Sequence, residues 1–167
     1  MYDARQVANC ILDIGDREGV SLTHLALQKI IYFCHGMSYP KFGRPLLLNN
    51  IEAWKRGPVI RELYFCFNGF GDQKITDRAR VLDIRTRCQE IIRYDFPYEI
   101  LRHLEETFRI YGPISAGRLV AMTHEKGTPW EQTIRHAAKS ANVGMHIDER
   151  LIREFFAPTA QENIRRT

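Results

Sequence analysis

The sequence predicts a mainly α-helical fold, a compact helical domain with one small β-hairpin. Apolar residues recur at helical spacing in several segments, capping residues precede these segments, and Gly or Pro follows most of them. A chain of 167 residues can bury roughly 70% of the surface that its unfolded form exposes, which suffices for one core without disulfides. We therefore expect one domain over residues 1–157 and a flexible C-terminal tail over residues 158–167.

Two helices are predicted in the N-terminal forty residues. The first spans residues 4–16, where apolar residues have helical periodicity and the carboxylate of Asp3 can accept from the free first-turn N–H groups. The second begins after a cap at Ser21 or Thr23. It is expected to end immediately before Pro40, because proline has no N–H to continue the helical hydrogen bonds.

A β-hairpin and a third helix are predicted next. Residues 46–48 and 51–54 are short apolar segments on either side of Asn49-Asn50, and Asn tolerates the positive φ that a tight turn needs. Pro58 suits the first position of a helix, so the third helix is expected over residues 58–67. The hairpin would therefore stand directly before this helix.

The middle of the chain has no clean periodicity. Residues 74–92 contain apolar positions without a regular spacing. We expect a short strand or an irregular segment there, followed by a helical turn near residues 87–92.

The C-terminal half predicts four more helices. A long one spans residues 97–110 with an apolar stripe, and Ser115 can cap a short one. Residues 128–131 read Thr-Pro-Trp-Glu, in which the threonine caps, the proline takes the first helical position and the glutamate completes a capping box. The last helix is expected over residues 148–156.

Composition indicates a soluble cytoplasmic protein. The chain is 44% hydrophobic and 26% charged, with a net charge of +4. No apolar run approaches the ~18 residues that span a bilayer, and the polar N-terminus does not resemble a signal peptide. The four cysteines lie far apart without a Cys-x-x-Cys pair, which favours free thiols in a reducing compartment over a disulfide framework.

The sequence contains no recognisable catalytic motif. Phosphate-binding glycine loops, local zinc-ligand spacing and a nucleophile elbow are all missing. Cys34 and His35 are adjacent, but neighbouring helical residues point about 100° apart and would not face one site. We therefore expect no enzyme activity, no metal and no cofactor.

One face of the second helix is polar but nearly uncharged. Such a stripe fits a partly buried or partner-facing surface better than a solvated one, which would carry Lys, Glu or Arg. It could bond internally to the 44–60 loop or contact a partner protein. The stripe consists of His24, Gln28, Tyr32, His35 and Tyr39.

Several single residues carry two interpretations. Lys29 lies off the polar stripe, and we expect a carboxylate such as that of Glu52 to hold it inward as a structural group. Trp54 and Trp130 fit either a core or an interface hot spot. His124 fits a hydrogen-bond strut or a pH-sensitive contact.

A set of motifs resembles one known family. The sequence LTHLALQKIIYF over residues 22–33 is similar to the signature helix of the Panacea antitoxin domain, to which SocA-type antitoxins and proteins described as phage-associated belong. Further similarities occur at residues 39–46, 51–59, 63–64 and 119–130, so the resemblance spans most of the chain. Position 26 is Ala where Lys is common in the family.

The resemblance implies a toxin-neutralising protein encoded beside its toxin. It implies direct binding of the toxin protein and, as in SocA-type members, possible action as an adaptor that delivers the toxin to the ClpXP protease, with ClpX as a second partner. Residues 1–157 would form the antitoxin domain. The predicted partner-binding residues are His24, Gln28, Tyr32, His35, Tyr39, Trp54, Arg56, Tyr64, His124 and Trp130. The predicted structural residues are Leu25, Lys29, Gly43, Gly57, Pro58 and Pro129.

Two alternatives from other classes stay open. Basic residues in the middle of the chain fit a small nucleic-acid-binding regulator, although acidic residues are interleaved with them and favour a solvated surface. A hydrolase could use Cys34 or His124 in a site assembled in space. The arginines in question are Arg78, Arg80, Arg85, Arg87 and Arg93.

Overall fold

The computed structural model describes residues 1–137 and 144–157 and confirms the mainly α-helical class. The predicted tail over residues 158–167 lies outside the described residues. Between residues 68 and 70 the chain also forms one turn of 3₁₀-helix. The elements of the described part are α1 (Ala4–Glu18), α2 (His24–Phe42), β1 (Ile51–Trp54), β2 (Gly57–Ile60), α3 (Arg61–Phe67), β3 (Arg80–Leu82), β4 (Gln89–Ile91), α4 (Tyr98–Tyr111), α5 (Ala116–His124), α6 (Pro129–Ala137) and α7 (Glu149–Phe156).

Helix α2 forms the centre of the domain. It packs against α1, α4, α5, α7 and strand β2. Leu27, Ile30 and Ile31 are fully buried, and the remaining side chains of the helix are mostly buried too. A helix that is apolar around most of its circumference is expected in a core. Helix α2 therefore positions the four helices and the strand that pack against it.

Helix α2 does not end before Pro40, so that prediction is wrong. The helix continues to Phe42, and Gly43 ends it with a left-handed φ of 68° and an N–H that donates to the Tyr39 carbonyl at 2.8 Å. Pro40 is exposed in the last turn, where the loss of a single helical hydrogen bond is tolerated. The glycine C-cap is thus the actual stop.

The first hairpin lies further along the chain than predicted. Strands β1 and β2 pair antiparallel with Ile51 opposite Ile60, and Lys55 and Arg56 form the turn. Gly57 follows with a φ of 97°, a conformation that L side chains rarely adopt. The predicted turn at residues 49–50 is therefore wrong.

Long-range contacts explain this error. The side-chain oxygen of Asn49 accepts from the Ala4 N–H at 2.8 Å. The neighbouring apolar segment bonds to Tyr2, whose N–H donates to the Leu46 carbonyl at 2.8 Å. Pro58 consequently lies inside β2 rather than at a helix start, and α3 begins only at Arg61.

A second hairpin replaces the helical turn predicted near residues 87–92. Strands β3 and β4 pair antiparallel. The Asp83 carboxylate accepts from the N–H groups of Arg85 and Thr86 in the connecting turn, and Arg87 has a φ of 55°. The apolar side chains here stay exposed, with Ile84 at 88%. Their spacing in the sequence therefore does not follow the alternation of a strand with one buried face.

The predicted N-caps are confirmed by side-chain hydrogen bonds. The hydroxyl of Thr128 accepts from the Glu131 N–H at 3.3 Å. The carboxylate of Glu131 accepts from the Gly127 N–H at 3.0 Å, one residue earlier than an ideal capping box requires. The other predicted caps accept in the same way, Asp3 from the Arg5 N–H, Thr23 from that of Ala26 and Ser115 from that of Arg118. Asp148, the predicted start of the last helix, accepts from the Arg150 N–H and caps that helix.

None of the helices in residues 1–137 and 144–157 combines the length and apolarity needed to cross a bilayer.

Helix α7 packs closely on α2 at Gly36. A Cβ added to Gly36 would lie 2.2 Å from the Phe156 ring. We expect Gly36→Ala to lower the free energy of unfolding by about 1–2 kcal/mol, because the ring must move out of its packed position. Urea denaturation followed by circular dichroism measures this change.

Gly117 provides the matched control for this substitution. It lies in α5, where an added Cβ would have nothing within 4 Å, so Gly117→Ala should raise stability by about 0.5–1 kcal/mol through helix propensity alone. Equal effects at Gly36 and Gly117 would contradict the close packing of α7 on α2.

Candidate partner-binding site

A groove of about 470 Å³ opens where the start of α2 meets the first hairpin and α3. Predicted partner-binding residues from three separate segments of the sequence meet in its lining. We call it the aromatic groove. Its lining includes His24, Gln28, Trp54, Lys55, Arg56 and Tyr64.

A row of three adjacent rings lines the aromatic groove. The ring of Tyr64 lies 5.5 Å from that of His24 and 4.9 Å from that of Trp54. The Trp54 Nε1–H donates to the Glu52 carboxylate at 2.7 Å, which fixes the indole. Phe65 continues the row outward, 5.9 Å from Tyr64 and 69% exposed. The groove therefore presents rigid aromatic surface beside an exposed apolar side chain.

Gln28 fixes the floor of the aromatic groove. It is 2% exposed. Its side-chain oxygen accepts from the Ile60 N–H at 2.9 Å, and its amide donates to the Ile60 carbonyl at 3.0 Å. Both amide ends are thus used to tie β2 to α2. This agrees with the internal-bonding interpretation of the polar stripe.

Lys29 lies fully buried beneath the hairpin. Its Nζ donates to the Pro58 carbonyl at 2.6 Å. Burial, with a smaller contribution from the charge of Arg56, lowers the pKa of Lys29 to about 7. The expected pairing with Glu52 is wrong, because Glu52 accepts from the indole of Trp54 and pairs with Arg61 at 3.0 Å.

His124 and Trp130 support the hairpin from the other side. Their rings are stacked, with centroids 3.7 Å apart and an interplanar angle of 8°. The Trp130 Nε1–H donates to the Trp54 carbonyl at 2.8 Å. Burial and then the nearby charge of Lys29 lower the pKa of His124. Its buried Nε2 has no hydrogen-bond partner among the described residues, so ring stacking rather than a strut through that nitrogen holds the imidazole.

The rest of the polar stripe lies in the middle and C-terminal half of α2, outside the lining of the groove. Tyr32 and His35 are 2% and 0% exposed. His35 accepts from the Leu47 N–H at 3.3 Å through Nδ1 and bonds the Glu149 carboxylate at 3.0 Å through Nε2. The Tyr39 hydroxyl donates to the same carboxylate. These residues hold α7 and the segment around Leu47 against α2.

Glu149 keeps its charge in this arrangement. Burial alone would raise its pKa, but the hydrogen bonds from His35 and Tyr39 outweigh burial and lower it. The carboxylate is therefore a fixed acceptor at the start of α7, consistent with a structural role.

The predicted structural residues are distributed around the same framework. Leu25 lines the aromatic groove, while Gly43 ends α2 and Gly57 with Pro58 opens β2. Pro129 is the buried first residue of α6, as its motif predicts.

The sequence did not single out Lys55 and Phe65. A hairpin turn predicted at Asn49-Asn50 leaves Lys55 outside the turn, so the sequence gives it no role. Phe65 could have been found from helical phase, since Leu63 and Phe67 face the core and leave Phe65 outside.

The middle arginines are partly neutralised. Arg78 pairs with Asp13 at 2.7 Å and Asp16 at 2.6 Å, and Arg80 pairs with Asp77 at 3.1 Å. Internal ion pairs of this kind reduce the charge that a nucleic acid would meet.

The candidate catalytic thiol is deeply buried. Cys34 is 0% exposed, and burial raises its pKa well above that of a free thiol. A thiolate is the reactive form, so this environment opposes nucleophilic use. The described residues also contain no group of three His, Cys, Asp or Glu side chains placed to hold a metal ion.

Comparison with known proteins assigns the family. The family model described as "Antitoxin SocA-like, Panacea domain" matches residues 27–131, which is more than half of the chain. The chain belongs to this SocA-like antitoxin family. It is 35% identical over 154 residues to the antitoxin SocA of Caulobacter vibrioides (strain NA1000 / CB15N), covering 92% of this chain and 82% of that relative. No solved structure matches.

The match confirms the resemblance found in the motifs. It extends from Leu27 in α2 to Glu131 in α6 and thus includes most of the aromatic groove, with His24 and Leu25 just before it. Membership places this chain among antitoxins of the SocA type and implies a toxin as its partner.

Proposed function

We propose that this SocA-like antitoxin neutralises its toxin by binding it directly, through the aromatic groove and its rim, and without catalysing a reaction. The observation that carries the proposal is the ring row of His24, Tyr64 and Trp54 beside the exposed Phe65. Clustered aromatic anchors on a rigid frame are typical of the residues that dominate binding energy at protein interfaces.

Preorganisation of the groove supports this proposal. The hydrogen bonds of Gln28 to Ile60, of Trp54 to Glu52 and of Trp130 to the Trp54 carbonyl hold the hairpin before any partner arrives. Because the hairpin is already ordered, binding to it costs less conformational entropy than binding to a loop that must first become ordered.

Delivery of the bound toxin to ClpXP is a further step that the resemblance to SocA-type antitoxins implies. Neutralisation by binding alone, which we call masking, can be distinguished from delivery by measuring the half-life of the toxin with purified ClpXP and ATP. Delivery shortens this half-life only when the antitoxin is present, whereas masking alone leaves it unchanged or longer.

Co-expression tests direct binding. The protein encoded by the adjacent gene is expressed alone and together with this antitoxin, and growth and co-elution on size-exclusion chromatography are recorded. The proposal requires growth inhibition that the antitoxin relieves and a complex that co-elutes. A harmless neighbour, or relief without any complex, would refute it.

Tyr64→Ala is expected to weaken toxin binding about 30-fold, which corresponds to about 2 kcal/mol. The ring lies between His24 and Trp54, so its loss removes the centre of the aromatic surface. Isothermal titration calorimetry measures the affinity. Tyr98→Ala is the control, because Tyr98 is a 74% exposed tyrosine at the start of α4. Equal affinities of the two variants would show that the groove is not the contact.

A further inference from the structure

The rim of the aromatic groove carries uncompensated positive charge. Lys55 and Arg56 are exposed at the hairpin turn, and Lys29 is buried below it. None of these three forms an ion pair within the described residues, whereas the nearby Arg61 is paired with Glu52. Asp72 is the acidic side chain among the described residues of the lining.

The positive groups around the groove also lower the pKa values of their neighbours. After burial, the charge of Arg56 is the next cause that lowers the pKa of Lys29. Lys29 in turn lowers the pKa of His24 and His124, again after burial. Like charges placed together without a counter-ion create a positive potential that an anion would relieve.

We infer that the aromatic groove receives an acidic segment of the toxin, whose carboxylates meet Lys55 and Arg56 while an apolar side chain packs against Tyr64. This inference rests on the proposed direct binding and specifies the chemistry of the partner. Complementary charge beside an apolar anchor steers association and fixes the register of the two proteins.

A nucleic acid fits the same surface less well. Single strands bind along an extended basic groove with exposed rings on which successive bases stack. Here the cations are confined to one hairpin turn, and Trp54 and Tyr64 are partly buried at a tilt of 55° to one another.

A charge-reversal experiment tests the inference. The double variant Lys55→Glu/Arg56→Glu is titrated with the toxin encoded by the adjacent gene at 50 and 300 mM NaCl. Arg109→Glu/Arg153→Glu is the matched control, since it makes the same change in net charge at exposed residues of α4 and α7 that form no ion pair in the described structure. Circular dichroism verifies that both variants are folded.

We expect the groove variant to bind the toxin about tenfold more weakly at 50 mM NaCl, and the deficit to shrink at 300 mM NaCl as salt screens the charges. The control should stay within about twofold of the wild type. Unchanged affinity of the groove variant at low salt would overturn the inference that an acidic segment binds there, while the proposed direct binding of the toxin would stand. No binding by the wild type would instead refute the proposed function.

A nucleic-acid arm completes the test. Wild-type protein is titrated with a single-stranded and a duplex 12-nucleotide DNA at 50 mM NaCl. No binding supports the inference. DNA binding that the groove variant loses and the control keeps would overturn the inference, because the groove would then be a binding site for phosphate groups.

Discussion

Gly57→Ala is expected to lower the free energy of unfolding by about 3–5 kcal/mol. Gly57 has a φ of 97°, and an added Cβ would lie 2.7 Å from the Thr123 hydroxyl and 3.1 Å from the Lys29 Nζ. Backbone strain and overpacking in a buried site each cost about 1–3 kcal/mol. Urea denaturation followed by circular dichroism measures the loss.

Gly127→Ala separates the two costs. Gly127 has a similar φ of 87°, but nothing lies within 4 Å of an added Cβ. This control should show the backbone strain alone, about 1–2 kcal/mol. If Gly57→Ala were no more damaging than Gly127→Ala, the close packing of hairpin, α5 and Lys29 would be wrong.

Stability is expected to rise with pH above neutrality because of Lys29. The pKa of Lys29 is about 7 in the folded protein, whereas its ordinary value, which applies to the unfolded chain, is 10.5. Between these values the unfolded chain binds more protons, so the free energy of unfolding increases with pH. The destabilising effect of the buried charge is fully present below pH 7 and is relieved toward pH 10.5. The total is on the order of 5 kcal/mol.

The buried thiols limit the useful pH range. Burial raises the pKa of Cys10 to about 12, from 9.0, so above pH 9 the unfolded chain loses thiol protons first and stability falls. Denaturation is therefore measured from pH 6.5 to 8.5. Over pH 7–8.5 the contribution of Lys29 should be about 2 kcal/mol.

Lys29→Met isolates this contribution. Met is unbranched and uncharged and is one atom shorter than Lys, so the rise of stability between pH 7 and 8.5 should disappear. Lys126→Met is the control, because Lys126 is exposed and its substitution should leave the pH dependence unchanged. An identical rise in wild type and Lys29→Met would show that Lys29 is not the titrating group.

The sequence predicted the helices well because their signals are local. Asp3, Ser115 and Asp148 cap the helices that they precede, each through a bond to an N–H two or three residues later. Such bonds depend only on neighbouring residues. Helix class and most starting points could therefore be predicted without knowledge of the packing.

The hairpins were harder to predict because distant residues decide them. Asn49 has the turn preference that the sequence suggests, but its side chain accepts from the Ala4 N–H, 45 positions away. The second hairpin depends on the turn at Asp83 and keeps its apolar side chains exposed. Neither arrangement produces a periodic signal.

The candidate site was predicted in part. His24, Trp54 and Tyr64 do meet in one groove, but Tyr32 and His35 are buried further along α2 and outside that groove. A helical wheel places all polar stripe residues on one face and cannot show that the elements packed along the helix differ. Only the tertiary structure separates the groove from the α7 contact.

Both tryptophans of the chain lie at the same place. Trp54 lines the aromatic groove, and Trp130 donates to its carbonyl while stacked on His124. The indole fluorescence of this molecule therefore arises entirely from the neighbourhood of the groove. With a partner that contains no tryptophan, a change in emission wavelength or intensity on mixing reports a change at the groove without an attached dye.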